Sequence, residues 1–158
     1  MSQTSLDIKE PGLNSLPPGV ERYVVEGGGL TGIQILPDDE IEIINNEGNQ
    51  ICEISVFNKD GKSELAILGL KEIKDNSEIK KILFKKDETS LQALLQLKKR
   101  NLNIEKSKSS LVFDRKTKAG ENIKLKSKDS CYCIIAAPGK EMMIYEQNPS
   151  TELTVMVK

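Results

Sequence analysis

Histidine and tryptophan are absent from the 158 residues of this chain, cysteine occurs three times, and aromatic residues make up 4%. Each shortage removes a class of chemistry. Without an imidazole there is no Ser-His-Asp triad, no Cys-His nucleophile pair, no imidazole metal ligand and no imidazole base. Three cysteines, an odd number, do not make a disulfide framework, so the expected setting is cytoplasmic, with reduced thiols. The longest uncharged apolar run, Ser130 to Gly139, falls far short of the roughly 20 residues that span a bilayer. The N-terminus, MSQTSLDIKEP, lacks the basic region and apolar core of a secretory signal. Arginine is scarce as well, three of 23 basic residues. Arginine is the preferred phosphate fork, and the few aromatics do not interleave with the lysines, so nucleic acid is not an expected partner.

What remains is the composition of one folded domain, with 37% hydrophobic and 30% charged residues. The net charge of −1 hides an asymmetry. Residues 21–60 hold two basic against nine acidic side chains, −7, and residues 61–128 hold eighteen against nine, +9. The plain reading of the basic middle is a lysine-rich, solvated helix face; the sharper one is a surface for an anionic partner.

Residues 1–20 carry Ser, Asn, Gly and Pro without an apolar period and read as a flexible arm. Residues 21–158 read as one domain. Alternating segments recur at Arg22–Val25, Gly32–Leu36, Glu40–Ile43 and Gln50–Phe57, broken by Gly27-Gly28-Gly29, Pro37-Asp38-Asp39, Asn45–Asn49 and Asn58–Gly61. Such spacing predicts a mainly β (α+β) domain, a β-barrel or sandwich. The period changes in an insertion over about 63–105, which predicts two to three helices. Capping boxes are expected at Asp75–Glu78 and Thr89–Gln92, with Leu91, Leu94, Leu95 and Leu102 laid on the sheet. Strands resume near Ser110–Phe113, Ile123–Leu125, Ser130–Ala137, Met142–Tyr145 and Glu152–Val157. The Asp39–Ile43 strand with its Cys52-containing successor rhymes with Gly120–Leu125 and its Cys133-containing successor, as a duplicated half would.

Few residues suggest chemistry. Cys131 and Cys133 alternate on one strand and would face one way. The expected role is that of small core residues; the alternative is a zinc site completed by Cys52. Gly27-Gly28-Gly29 reads as a strand-to-strand loop, alternatively as an anion cradle built of amides. Asp38, Asp39, Glu40 and Glu42 crowd together, but Asp38-Asp39 fits a turn and the spacing of a calcium loop is missing. Glu53 lies on a strand face opposite Ile54 and Val56. Solvent exposure is its expected state; a partly buried site beside Ile51 would suit a general base.

Two blocks of residues resemble a known family. Val25-Glu26-Gly27-Gly28-Gly29, Gly32, Ile41-Glu42-Ile43, Asn45–Gln50 and the closing Phe57-Asn58 are similar to the opening of the urea carboxylase-associated domain family. Ile134-Ile135-Ala136-Ala137-Pro138, Asn148-Pro149 and Leu153-Thr154-Val155 are similar to its tail. The resemblance implies a β scaffold that occurs alone, in paired subunits that deiminate carboxylated guanidine, or fused ahead of a folate-dependent aminomethyltransferase. Members with activity carry Cys and His in the middle segment, expected to hold a metal. Here Ser63–Ser110 contains neither. Asn45 stands where the family has Asp before its Glu-Gly turn, and Glu53 where Asp follows the turn's Gln.

The resulting expectation is a non-catalytic accessory or small-molecule-binding domain without a cofactor. It would work with an aminomethyltransferase-like or carboxylase-associated protein, in a homo- or hetero-oligomer. Its ligand-binding residues would be Gly27, Gly28, Gly29, Glu47, Asn49, Gln50 and Asn58. The alternative is a metal-dependent C–N hydrolase or deiminase subunit acting on a urea- or guanidine-like substrate, with zinc on Cys52, Cys131 and Cys133 and Glu53 as base.

Overall fold

Alternating apolar and polar residues between turn-forming clusters give nine strands in a computed structural model that describes residues 19–71, 74–75, 77–85, 87–113, 116–139 and 151–158. The strands are β1 (Glu21–Val25), β2 (Leu30–Ile35), β3 (Glu40–Asn45), β4 (Cys52–Phe57), β5 (Lys74–Asp75), β6 (Lys108–Val112), β7 (Asn122–Lys126), β8 (Cys131–Ala136) and β9 (Leu153–Val157). A short 3-10 turn, Leu65–Leu68, and two helices, α1 (Ser77–Leu83) and α2 (Glu88–Lys99), lie between β4 and β6. The expected arm lies largely outside the described residues, as do the Met142–Tyr145 strand, Asn148-Pro149 and Asn76 of the first capping box. No helix of the described residues is long and apolar enough to cross a membrane.

The fold is mainly β. Among the described residues the strands form two antiparallel sheets, ordered β1-β9-β3-β7 and β2-β8-β4-β6-β5, and do not close into a barrel. Strands β1 to β4 alternate between the sheets, so each turn between them carries the chain across. Val25, Ile33, Ile43, Ile54, Cys133 and Val155, drawn from both sheets, meet in one apolar core. The arrangement is therefore sandwich-like, with period-2 patterning turning one face of β1, β3 and β9 toward the core.

The rhyme in the sequence has a structural counterpart. β3 pairs with β7, Ile43 opposite Ile123, and β4 pairs with β8, Val56 opposite Cys133. The two similar strand pairs thus lie side by side, strand for strand. The acidic crowd before β3 is accounted for in the same register: Glu40 and Glu42 stand opposite Lys126 and Lys124, the arrangement that favours unlike charges across a sheet. Asp38 takes a left-handed turn conformation, and the Asp39 carboxylate accepts from the Leu36 amide.

The five-stranded sheet is covered on its second face too. Leu30, Phe57, Tyr132, Ile134 and Ala136 pack there against Ile79, Leu83, Ala93 and Leu97 of the helices. Every residue of β4 and β8 is consequently buried. α2 starts two residues earlier than its sequence suggests. Asp87, not Thr89, is the cap, its carboxylate accepting from the Ser90 amide at 2.7 Å. Asp is the better cap. Ser90, Ala93 and Leu97 face the sheet, whereas Leu91 and Leu95, expected on it, are 51% and 59% exposed.

Candidate functional site

A cleft of about 240 Å³ opens on the helix-covered side of the five-stranded sheet, where α2 ends. Gln34 of β2, Asn58 and Lys59 after β4, Arg100 and Leu102 after α2, and Ser130 and Tyr132 at β8 line it, and Cys131 borders it. Its walls are fixed locally. The Asn58 side-chain oxygen accepts from the Asp60 and Lys62 amides, and its Nδ2 donates to Glu64. That turn is fastened to the end of α2 at Gly61, whose carbonyl accepts from the Asn103 amide. A side chain at Gly61 would run into the Asn101 carbonyl, so only glycine permits the approach. Gln34 Nε2 donates to the Cys131 carbonyl at 3.1 Å.

Arg100 is the cleft's distinctive group. Its guanidinium lies 4.6 Å from the centre of the Tyr132 ring, a cation–π geometry. The ring in turn occupies the space left by Gly32, where a Cβ would collide with the phenol. Burial pushes the Tyr132 hydroxyl above its ordinary pKa, with Arg100 partly opposing the shift, so the phenol is a neutral hydrogen-bonding group at physiological pH. The cleft therefore offers two cations, Lys59 and Arg100, beside the neutral hydrogen-bonding groups of Asn58, Gln34 and Ser130. That donor-rich lining suits a small molecule bearing oxyanion or other acceptor oxygens.

Of the residues named from sequence, Asn58 lines this cleft and Cys131 borders it. Gly27, Gly28 and Gly29 make the turn from β1 to β2. Gly28 has φ +80°, the Gly29 amide donates to Glu26 and the Gly28 amide to Ala137. Two of the three amides an anion would need are thus spent on backbone. Glu47 and Asn49 are exposed in the β3–β4 turn. Gln50 is buried and acts as a pin. Its Nε2 donates to the Ile51 and Pro138 carbonyls, and its Oε1 accepts from the Thr151 amide. Asn45 Nδ2 donates to the Gln50 carbonyl at 2.8 Å, a bond that an aspartate at this position would lack a donor to form. The glycine turn and Gln50 do meet, at the Ala137-Pro138 end of β8, as a structural fastening.

The three cysteines are free and buried, and the structure does not bring them together. Cys131 and Cys133 share the inner face of β8 with their sulfurs 3.8 Å apart. Cys52 lies on β4 opposite Val112, four residues before the Val56 that pairs with Cys133, about 13 Å along the strand. Among the described residues no group of three His, Cys, Asp or Glu is placed to hold a metal. All three cysteines lie in the apolar core, and Cys52 stands too far along β4 to share one ion with the Cys131–Cys133 pair. The hydrogen bond within the pair lowers the Cys131 pKa and raises that of Cys133, while burial and the neighbouring Glu53 raise that of Cys52.

Glu53, expected in solvent, is fully buried. Its face of β4 is the one the helices cover. Its carboxylate accepts from the Ile79 amide in the first turn of α1, at 3.1 Å, and from the Ser109 hydroxyl at 2.5 Å. It fastens α1 and β6 to β4. Sequence reasoning overlooked Arg100, Lys59, Gln34, Ser130 and Tyr132. Two signals were there: Gly32 inside a strand marks a close approach, and one of the rare arginines sits where a helix ends.

No family model matches the chain. It is 34% identical over 152 residues to a trimethylamine-oxide aldolase of Ruegeria pomeroyi, a match that covers 96% of this chain and 19% of that protein. The chain therefore corresponds almost whole to about one fifth of a curated relative.

Proposed function

We propose that this chain is a non-catalytic accessory domain of the urea carboxylase-associated kind, binding a small oxygen-bearing metabolite in the Arg100 cleft. The observation that carries the reading is the convergence of Lys59, Arg100, Asn58, Gln34 and Ser130 from four separate segments on one cleft. The match of the whole chain to one fifth of a larger protein supports a module that serves an enzyme supplied by other polypeptide. The name of that relative makes an amine oxide the first ligand to try. The partner we favour is an aminomethyltransferase-like or carboxylase-associated protein. Three free thiols are in keeping with a reducing, cytoplasmic setting.

Calorimetric titration of the purified chain tests the reading, with trimethylamine oxide, urea-like compounds, small amines and small carboxylates as ligands. Saturable binding of one class is expected, weakened at least about tenfold by Arg100→Ala and by Asn58→Ala, the cost of one charge-assisted contact. Binding indifferent to both substitutions, or no binding across the panel, would refute it.

A further inference from the structure

Two leucines of α2, Leu91 and Leu95, face outward between charged ends. Glu88, Leu91, Leu95 and Lys98 follow one another at spacings of three, four and three, so they share one side of the helix. All four are exposed. A groove of about 280 Å³, lined by five apolar side chains, Phe84 and Leu94 among them, and by Lys98, Asn103 and Glu105, runs beside the stripe. Phe84 is itself 45% exposed. Isolated exposed leucines need no explanation, but a continuous stripe next to a groove marks a contact surface.

The order of charges says what fits it. The stripe is acidic at its N-terminal end, at Asp87 and Glu88, and basic at its C-terminal end, at Lys98 and Lys99. The two leucines lie symmetrically about the level of Ala93. We propose that α2 packs antiparallel against α2 of a second copy of this chain. A two-fold axis level with Ala93 sets Leu91 against the partner's Leu95 and Glu88 against the partner's Lys98. The symmetry repeats both contacts. Antiparallel packing also opposes the helix dipoles favourably, whereas parallel packing would bring like charges together. A second copy supplies all of this complementarity unaided. The helix is about 18 Å long, so the surface is small beside that of a permanent dimer, and association is weak and concentration-dependent.

Sedimentation velocity of the full chain over a roughly hundredfold range of concentration tests the proposal, in low and in high salt. The expected result is a sedimentation coefficient that rises with concentration and rises less in high salt. Leu91→Gln/Leu95→Gln is expected to remain monomeric throughout, with far-ultraviolet circular dichroism showing the fold intact. Glu88→Lys and Lys98→Glu are each expected to weaken the dimer roughly fivefold, as two exposed pairs allow. The double reversal Glu88→Lys/Lys98→Glu should recover it, since both copies change together. A wild type that stays monomeric, a dimer that survives loss of both leucines, or a double reversal that fails to recover overturns the proposal. A chain monomeric alone that takes up a different protein through Leu91 and Leu95 also overturns it.

Discussion

Glu53 offers the sharpest test of how the helical layer is held to the sheet. Replacing it with alanine leaves the Ile79 amide and the Ser109 hydroxyl facing the space its carboxylate filled. Each buried donor left without its partner costs about 1–3 kcal/mol. Part of that is returned, because a buried carboxylate carries a desolvation penalty that the variant no longer bears. A net loss of about 3 kcal/mol follows, or a fall in Tm of about 6–12 °C for a chain of this size. Glu53→Gln keeps one acceptor oxygen, and Ser109 can rotate to accept from the new amide, so about 1 kcal/mol is expected. Thermal and urea melts followed by circular dichroism give the two values. Amide hydrogen exchange adds a local reading: Glu53→Ala should unprotect the first turn of α1 while the four-stranded sheet keeps its protection. An alanine variant as stable as the wild type, or α1 amides that exchange as before, would refute the account.

The turn glycines separate contact from conformation. Gly48→Ala brings a Cβ to 2.7 Å from both the Thr117 carbonyl and the Ala119 nitrogen at φ +78°, and should cost about 2–4 kcal/mol. Gly120→Ala at φ +82° meets open space and should cost about 1 kcal/mol; equal losses in urea melts would show that the crowding relaxes away. The hydrogen bonds from Ser90 hold the Asp87 carboxyl below its ordinary pKa of 3.8. Its contribution is thus complete above the unfolded-state value and lost as pH falls through the lower folded-state value. Asp87→Ala should be less stable than wild type at about pH 6 and approach it at about pH 2.5, in melts that would show a constant gap if the cap were unimportant. Alkylation with iodoacetamide at about pH 8, read by peptide mass spectrometry, should modify Cys131 before Cys133 and Cys52, because only the Cys131 thiol is shifted downward.

Most of the strands were legible because their limits are written in local chemistry; β5, two residues inside the stretch read as helical, was not. Gly27–Gly29, Asn45–Asn49 and Asn58–Gly61 each force a turn whatever the rest of the chain does. β7 and β8 were legible for the same reason, and so was the rhyme that pairs them with β3 and β4. The helices were harder. Asp87 and Thr89 are both acceptable caps, and neither says whether Leu91 and Leu95 or Ala93 and Leu97 meet the sheet. Nothing local decides that choice. It is settled in the folded layer, where Ala93 and Leu97 pack in one cluster with Leu30, Tyr132 and Ile134.

Burial of Glu53 was hidden by a related ambiguity. An alternating strand tells which residues share a face, not whether that face is later covered. Cys52, Ile54 and Val56 mark the inner side of β4; Glu53, Ser55 and Phe57 would read the same on an open edge as under a helix. Only the helical layer makes the carboxylate a fastening. The cleft was hidden for the same reason, since Asn58 meets Arg100 only after α2 has crossed the sheet. Gly61 decides that meeting, because the Asn58 turn and the end of α2 can approach only where no side chain intervenes. The polar groups that gather around Arg100 are thus a consequence of packing the helices of the basic middle onto β2, β4 and β8, which come from either side of it in the chain. A function that depends on them should be lost when that layer is loosened at Glu53, even though Glu53 does not line the cleft.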